Sequence, residues 1–192
     1  MASAGGCGTL AAMSPFDDET AVAPAGTPQA GSSRFTGTVH PAWNIGANPN
    51  GGYLLSLAAQ ALRQAVPQQP DPLSITVHFL RPGLPGQACD VDVQLLRSGR
   101  TLSTARATLL QDGSPRLEVL AAMGKLDSAG AADAAPVITL PPPDIPPPEA
   151  CPGRSASAQG VGLPILQRLD IRLHPAEAEP GAAGRAQVSG WI

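Results

Sequence analysis

Aromatic residues are scarce in this chain: two tryptophans, one tyrosine and three phenylalanines in 192 residues. That excludes a stacking platform for single-stranded nucleic acid, which needs rows of exposed rings. Charge is thin too, at 14% of residues, and leans acidic with a formal net charge of −3. No positive surplus is present to attract a nucleic-acid backbone or an acidic membrane surface. No apolar run approaches the ~20 residues of a membrane-crossing helix. The opening MASAGGCGTLAAM lacks the basic start and long apolar stretch of a secretory leader. Cys7, Cys89 and Cys151 are an odd number without C-x-x-C spacing. That argues against a disulfide framework or a zinc site and for a reducing compartment. These absences lead to the expectation of a soluble, cytoplasmic protein with no nucleic-acid or membrane partner.

What the chain does hold is 43% hydrophobic residues, 22 prolines and 21 glycines. The length suits one domain, or one and a fraction. Residues 1–15 are small and unpatterned and read as a mobile N-terminus. Phe16–Val22 and Arg34–Val39 are short strand candidates. Tyr53–Val66 is a helix, with Asn50 placed to cap it and Pro67 beyond its end. Its polar residues Ser56, Gln60, Arg63 and Gln64 make one narrow stripe, so the helix is expected to be buried against something. Leu73–Gly83, Cys89–Gly99, Arg100–Gly113 and Ser114–Gly124 alternate apolar and polar residues and predict four strands in an antiparallel meander. Short turns at Arg97–Arg100 and Gln111–Ser114 place glycine where positive φ is expected. Small Ser103, Ala105 and Ala107 on one strand face would let the helix lie close. Cys89, within a strand, reads as a small core residue.

Residues 127–161, with PPPDIPPPEACP, lose the pattern and read as a Pro/Ala-rich, polyproline-like linker. Leu163–Pro175 and Gly184–Ile192 are further strand candidates. Two strands cannot build a domain, so 162–192 is expected to be the start of a second, incomplete unit.

The loop before the helix, W-N-I-G-A-N-P-N-G-G-Y, invites three readings. Gly46–Tyr53 follows a P-loop to its sixth position, but Gly52 and Tyr53 stand where Lys and Ser/Thr are required, so nucleotide hydrolysis is excluded. Asn50 can cap while the glycines permit a tight passage. Free backbone amides at the helix start can also face a ligand carbonyl or phosphate. The last two are compatible. No G-x-S-x-G elbow supports a serine nucleophile. His40, His78 and His174 show no ligand spacing. Asp90 and Asp92 share a strand face that reads as the solvated side, and Arg97 and Arg100 flank a turn at the surface.

The glycine pair opening a buried helix, then T-V-H-F-L-R-P-G at Thr76–Gly83, then R-S-G-R-T-L-S-T-A-R at Arg97–Arg106, resembles the acyl-CoA thioesterase II-like, double-hotdog family. The resemblance covers Phe16 to Leu126. It implies an α+β hotdog fold, a central helix wrapped by a curved antiparallel sheet. Residues 16–126 would form the N-terminal hotdog, and the chain would be a C-terminally truncated double hotdog. The implied reaction is hydrolysis of acyl-CoA to free fatty acid and CoA, with the thioester carbonyl polarised at a helix N-terminus and water activated by a carboxylate. No metal or organic cofactor is implied. The family's catalytic aspartate and its partners belong to the second hotdog, so no catalytic residue carries over to this chain. Asn50, Gly51, Gly52, Tyr53, Thr76, His78 and Arg81 are the candidate substrate-binding residues, with Tyr53 equally readable as core. The rival from another class is a non-catalytic acyl-binding or dimerising module. A hotdog hydratase ranks last, because no closely spaced Asp/His pair is evident. Self-association through the hotdog sheet is expected.

Overall fold

The structure is a computed structural model, and it describes residues 14–126, 144–154, 162–179 and 187–192. Most of the N-terminus and linker expected at 1–15 and 127–161 lies outside the described residues.

The first element departs from expectation. Phe16–Val22 is not a strand; Pro15–Glu19 is a single-turn helix, α1. Ser14 explains it: its hydroxyl accepts from the Asp17 amide at 3.2 Å, while the Asp17 carboxylate accepts from the Ser14 amide at 3.1 Å. This reciprocal cap, with Pro15 at the first helical position, outweighs strand propensity. Strand β1 (Ala23–Gln29) follows, and turns back through Gly31 at φ +74° into β2 (Ser32–Thr38).

The loop Trp43–Asn50 is a miniature hairpin. β3 (Asn44–Ile45) pairs with β4 (Asn48–Pro49) around Gly46 at φ +62°, and the Asn50 amide closes on the Trp43 carbonyl at 2.9 Å. That geometry delivers Asn50 to the start of α2 (Gly51–Ala65), where its side chain accepts from the Tyr53 amide at 3.1 Å. The predicted helix and its cap are both present. Tyr53, Leu54, Leu57, Ala58, Ala61 and Leu62 are buried, whereas Leu55, Ala59 and Ala65 stay half-exposed. The sheet therefore covers one side of the helix rather than its whole circumference.

Four long strands follow: β5 (Asp71–Phe79), β6 (Ala88–Arg97), β7 (Ser103–Gln111) and β8 (Ser114–Gly124). They build one six-stranded antiparallel sheet in the order β1-β2-β6-β7-β8-β5. The simple meander holds only for β6-β7-β8. β5 does not pair with β6; it lies beyond β8, with Val77 opposite Val119, and forms an edge. Residues 80–87 therefore cross the sheet to bring β6 beside β2. The β7–β8 turn has Asp112 and Gly113 at φ +50° and +67°, the double positive φ of a tight hairpin. Gly99, expected to need the same, does not have it. A Cβ there would lie 2.3 Å from the Leu102 carbonyl oxygen, so glycine is required by close approach.

Val91, Val93, Ala105, Ala107, Leu109, Leu117, Val119 and Ala121 face α2 and are buried. Ser103, Ala105 and Ala107 are sealed beneath the helix, as their size suggested. Cys89 is a buried core residue, also as expected.

The later segment differs from the strand expected over Leu163–Pro175. Pro164–Gln167 is a 3-10 turn, and only Arg172–Leu173 (β9) pairs, with Gly190–Trp191 (β10). Ile165 enters the hydrophobic core, with Leu166 and Leu169 packed against it. Arg168 forms a salt bridge with Glu19. The Gly46 amide donates to the Gly162 carbonyl at 2.7 Å.

Candidate functional site

The first turn of a helix leaves backbone amides unpaired. In α2 the Tyr53 amide is taken by the Asn50 side chain and the Leu54 amide by the Asn50 carbonyl. The Gly51 and Gly52 amides have no acceptor among the described residues, and they carry the positive end of the helix dipole. Beside Gly51 opens a cavity of about 370 Å³, lined by Asn48, Pro49, Leu54, Phe79, Leu80 and Arg81 among others. Apolar walls and a few polar groups are the usual make-up of a small-molecule site.

The sequence candidates divide here. Gly51 and Arg81 line the cavity. Asn50 acts through its cap, and Gly52 follows in the same turn. Arg81 also donates from Nη1 to the Pro115 carbonyl at 3.1 Å, which fixes its direction. Tyr53 is core. It is 2% exposed and stacks on Trp43 with ring centroids 5.5 Å apart. Its hydroxyl accepts from the His40 amide at 2.9 Å and donates to the Glu19 carbonyl at 2.7 Å. Burial pushes its phenol pKa up, which keeps the donating proton in place.

Thr76 and His78 are not brought to the cavity. Ile75 and Val77 pack toward the core, so the alternate positions are exposed on the far face, where His78 lies opposite Glu118. That face carries paired charges: Arg34 with Asp92, and Arg106 with Glu118. The Arg106 hydrogen bond lowers the Glu118 carboxyl pKa, against a smaller opposing effect of burial. A larger hollow of about 490 Å³ opens on this face around Arg34, Asp92 and Arg106. Its arginines are already neutralised by Asp92 and Glu118, whereas the smaller cavity lies beside amides without acceptors among the described residues. Burial raises the Cys89 thiol pKa to about 11, so this cysteine is no nucleophile. Among the described residues no cluster of three His, Cys, Asp or Glu is placed to hold a metal. Among the described residues no helix is long and apolar enough to cross a membrane.

Sequence reasoning missed Phe79, Leu54 and Pro49. A signal for Phe79 was present: it continues the inward positions Ile75 and Val77 to the strand end, where the helix begins.

The helix on a six-stranded antiparallel sheet is an α+β hotdog fold, and solved structures share it. A Thermobifida fusca protein provisionally named thioesterase II matches with a TM-score of 0.70 at 27% identity, over 91% of this chain and 61% of its own. The Escherichia coli PaaI protein, from the phenylacetic acid degradation operon, matches at 0.51 and 21% identity, over 57% and 87% of the two chains. A hypothetical thioesterase from Streptococcus pneumoniae, solved with coenzyme A, matches at 0.50 and 19%, over 57% and 88%. The last two, at such low identity, share the fold. Residues 39–124 match the family model described as acyl-CoA thioesterase N-terminal domain. The chain spans 61% of the length of the Thermobifida fusca protein. No curated protein matches it.

Proposed function

We propose that this chain binds acyl-CoA at the N-terminus of α2 and is the substrate-contacting half of an acyl-CoA thioesterase that releases free fatty acid and CoA. One observation carries this: the Gly51 and Gly52 amides, without acceptors among the described residues, stand beside an apolar cavity edged by Arg81. The amides suit the thioester carbonyl, whose oxygen gains negative charge during hydrolysis. The apolar walls suit the acyl chain, and Arg81 suits the anionic carrier. The lining supplies groups that bind and polarise; the carboxylate that activates water comes, in this reading, from a second hotdog unit. Residues 16–126 are then the first hotdog, 127–161 the linker and 162–192 the beginning of the second. The match of residues 39–124 to that family model and the 61% coverage of the Thermobifida fusca protein support that division.

The β5 edge, with exposed Leu73 on it, supports self-association through the sheet. A monomeric mass by light scattering at working concentration would remove that part.

The test of the function pairs two measurements on the 192-residue chain. Calorimetric titration with octanoyl-CoA and with CoA should show tighter binding of the thioester, and thiol release should stay at the uncatalysed rate. No preference for octanoyl-CoA rules the proposal out. Rapid thiol release would instead place the catalytic group in this chain. The rival acyl-binding module shares the first result and parts from it when a second hotdog unit is added, because only the thioesterase then turns over.

A further inference from the structure

The cavity at the head of α2 has one soft wall. Behind it, a methyl group on Gly83 would sit 3.0 Å from Leu54 and 3.1 Å from Pro49, so that side is closely packed. The backbone of residues 80–87 is pinned along its length. The Leu80 and Arg81 amides both donate to the Arg116 carbonyl, at 2.8 and 3.2 Å. Arg116 donates from Nη1 to the Pro82 carbonyl at 3.2 Å. Buried Gln111 holds Leu84 from both sides, accepting from its amide at 2.7 Å and donating to its carbonyl at 2.9 Å. The Gly86 amide reaches the Val39 carbonyl at 2.6 Å.

Phe79 is different. It follows Ile75 and Val77 on the inward face of β5, but it has come level with the first residue of α2, which has no side chain. Its ring rests on Gly51, where an added Cβ would lie 2.9 Å from Cζ, and the residue is still 53% exposed. A large apolar ring half in water is a poor use of its surface unless something else covers it. With the backbone frame fixed, rotation of this side chain would change the shape of the cavity.

We infer that Phe79 is a specificity-determining residue: its ring gates the cavity and sets the length of acyl chain admitted, closing into the space that glycine leaves at position 51. This rests on the acyl-thioester reading of the site. Pro49, Leu54 and Leu80 accept hydrocarbon, so the ligands concerned are thioesters of apolar acids, with straight-chain acids as the probes. At about 370 Å³ the cavity is near the lower end of the usual range for small-ligand sites, which favours short and medium chains while the ring is closed.

The test is calorimetric titration of the wild-type chain, Phe79→Ala and Phe79→Trp with butanoyl-, octanoyl- and dodecanoyl-CoA, and with CoA as baseline. Each methylene admitted to the cavity is worth about fourfold in affinity. Phe79→Ala should raise the ratio of dodecanoyl- to butanoyl-CoA affinity by about tenfold or more, and Phe79→Trp should lower it, with CoA affinity constant. A ratio that stays put in both variants, while the wild type still prefers acyl-CoA to CoA, overturns the gate and leaves the site. Equal weakening of every ligand, CoA included, also overturns it, because that marks a purely structural role. A wild type with no preference for acyl-CoA removes the site and the gate together. Thermal unfolding checks each variant; if Phe79→Trp does not fold, Phe79→Leu replaces it, with a rise in the ratio smaller than that of Phe79→Ala expected and an unchanged ratio refuting.

Discussion

Replacing Tyr53 with phenylalanine removes one oxygen atom and asks whether this residue serves the core or the ligand. The ring would keep its place on Trp43, where the two planes lie within 6° of parallel. Two hydrogen bonds would go. The His40 amide loses its acceptor at 2.9 Å, and the Glu19 carbonyl loses its donor at 2.7 Å. The Thr38 carbonyl, at 3.2 Å, is only an alternative acceptor, since a phenol has one proton to donate. Each such bond contributes about 1 kcal/mol net, and more where the abandoned group is cut off from water. His40 and Glu19 are half-buried, so the expected loss is about 2 kcal/mol for the pair. For a chain of this size that corresponds to roughly 4–8 °C in Tm. The assay is urea unfolding followed by tryptophan emission. The midpoint should fall while the slope m stays the same, because the surface exposed on unfolding does not change. Octanoyl-CoA affinity should be unaffected. A loss below about 0.5 kcal/mol would mean that the hydroxyl network contributes nothing to the fold. Unchanged stability with weakened acyl-CoA binding would refute the assignment of Tyr53 to the core and return it to the site.

Two further expectations rest on separate parts of the molecule. The Cys89 thiol pKa is raised from 9.0 to about 11 and the Tyr53 phenol is raised too, both chiefly by burial. Each group is held neutral in the folded state, so its contribution is complete below the unfolded pKa and disappears as pH climbs through the folded one. Stability should therefore fall between about pH 9 and pH 11, by about 2–3 kcal/mol from Cys89. Cys89→Ala should flatten that slope, and parallel urea-midpoint profiles for the two proteins would refute it. Arg168→Ala breaks the ion pair with Glu19, a carboxylate that also accepts from the Trp43 indole at 2.7 Å. The expected cost is about 1–3 kcal/mol, with a red-shifted Trp43 emission as residues 162–169 loosen. An unchanged spectrum and Tm would show that the segment does not depend on this contact.

The sequence by itself determined the elements whose signals are local. Asn50, the glycine pair and Pro67 bounded α2, because a cap and a breaker act within a turn of the chain. Asp112-Gly113 marked the β7–β8 hairpin because few residues tolerate positive φ. The alternation Ile75, Val77 against Thr76, His78 told which side chains face the core, yet Thr76 and His78 were still grouped with Gly51 as site candidates, because a strand's face does not say what lies beside it. A local signal can also be overlooked: the Ser14–Asp17 cap was readable, yet the apparent strand at Phe16–Val22 hid it. Only the tertiary structure decided which strands are neighbours. Alternation fixes the face of a strand and says nothing of its partner, so the placement of β5 beyond β8, rather than beside β6, followed from pairing across the chain. The same holds for the cavity. Pro49, Leu54 and Phe79 are distant enough in sequence that no short-range pattern joins them, and they meet because β5 ends level with the start of α2. The docking of Ile165 and Arg168 against Trp43 and Glu19 is of the same kind: burial and ion pairing between segments more than a hundred residues apart have no local signature.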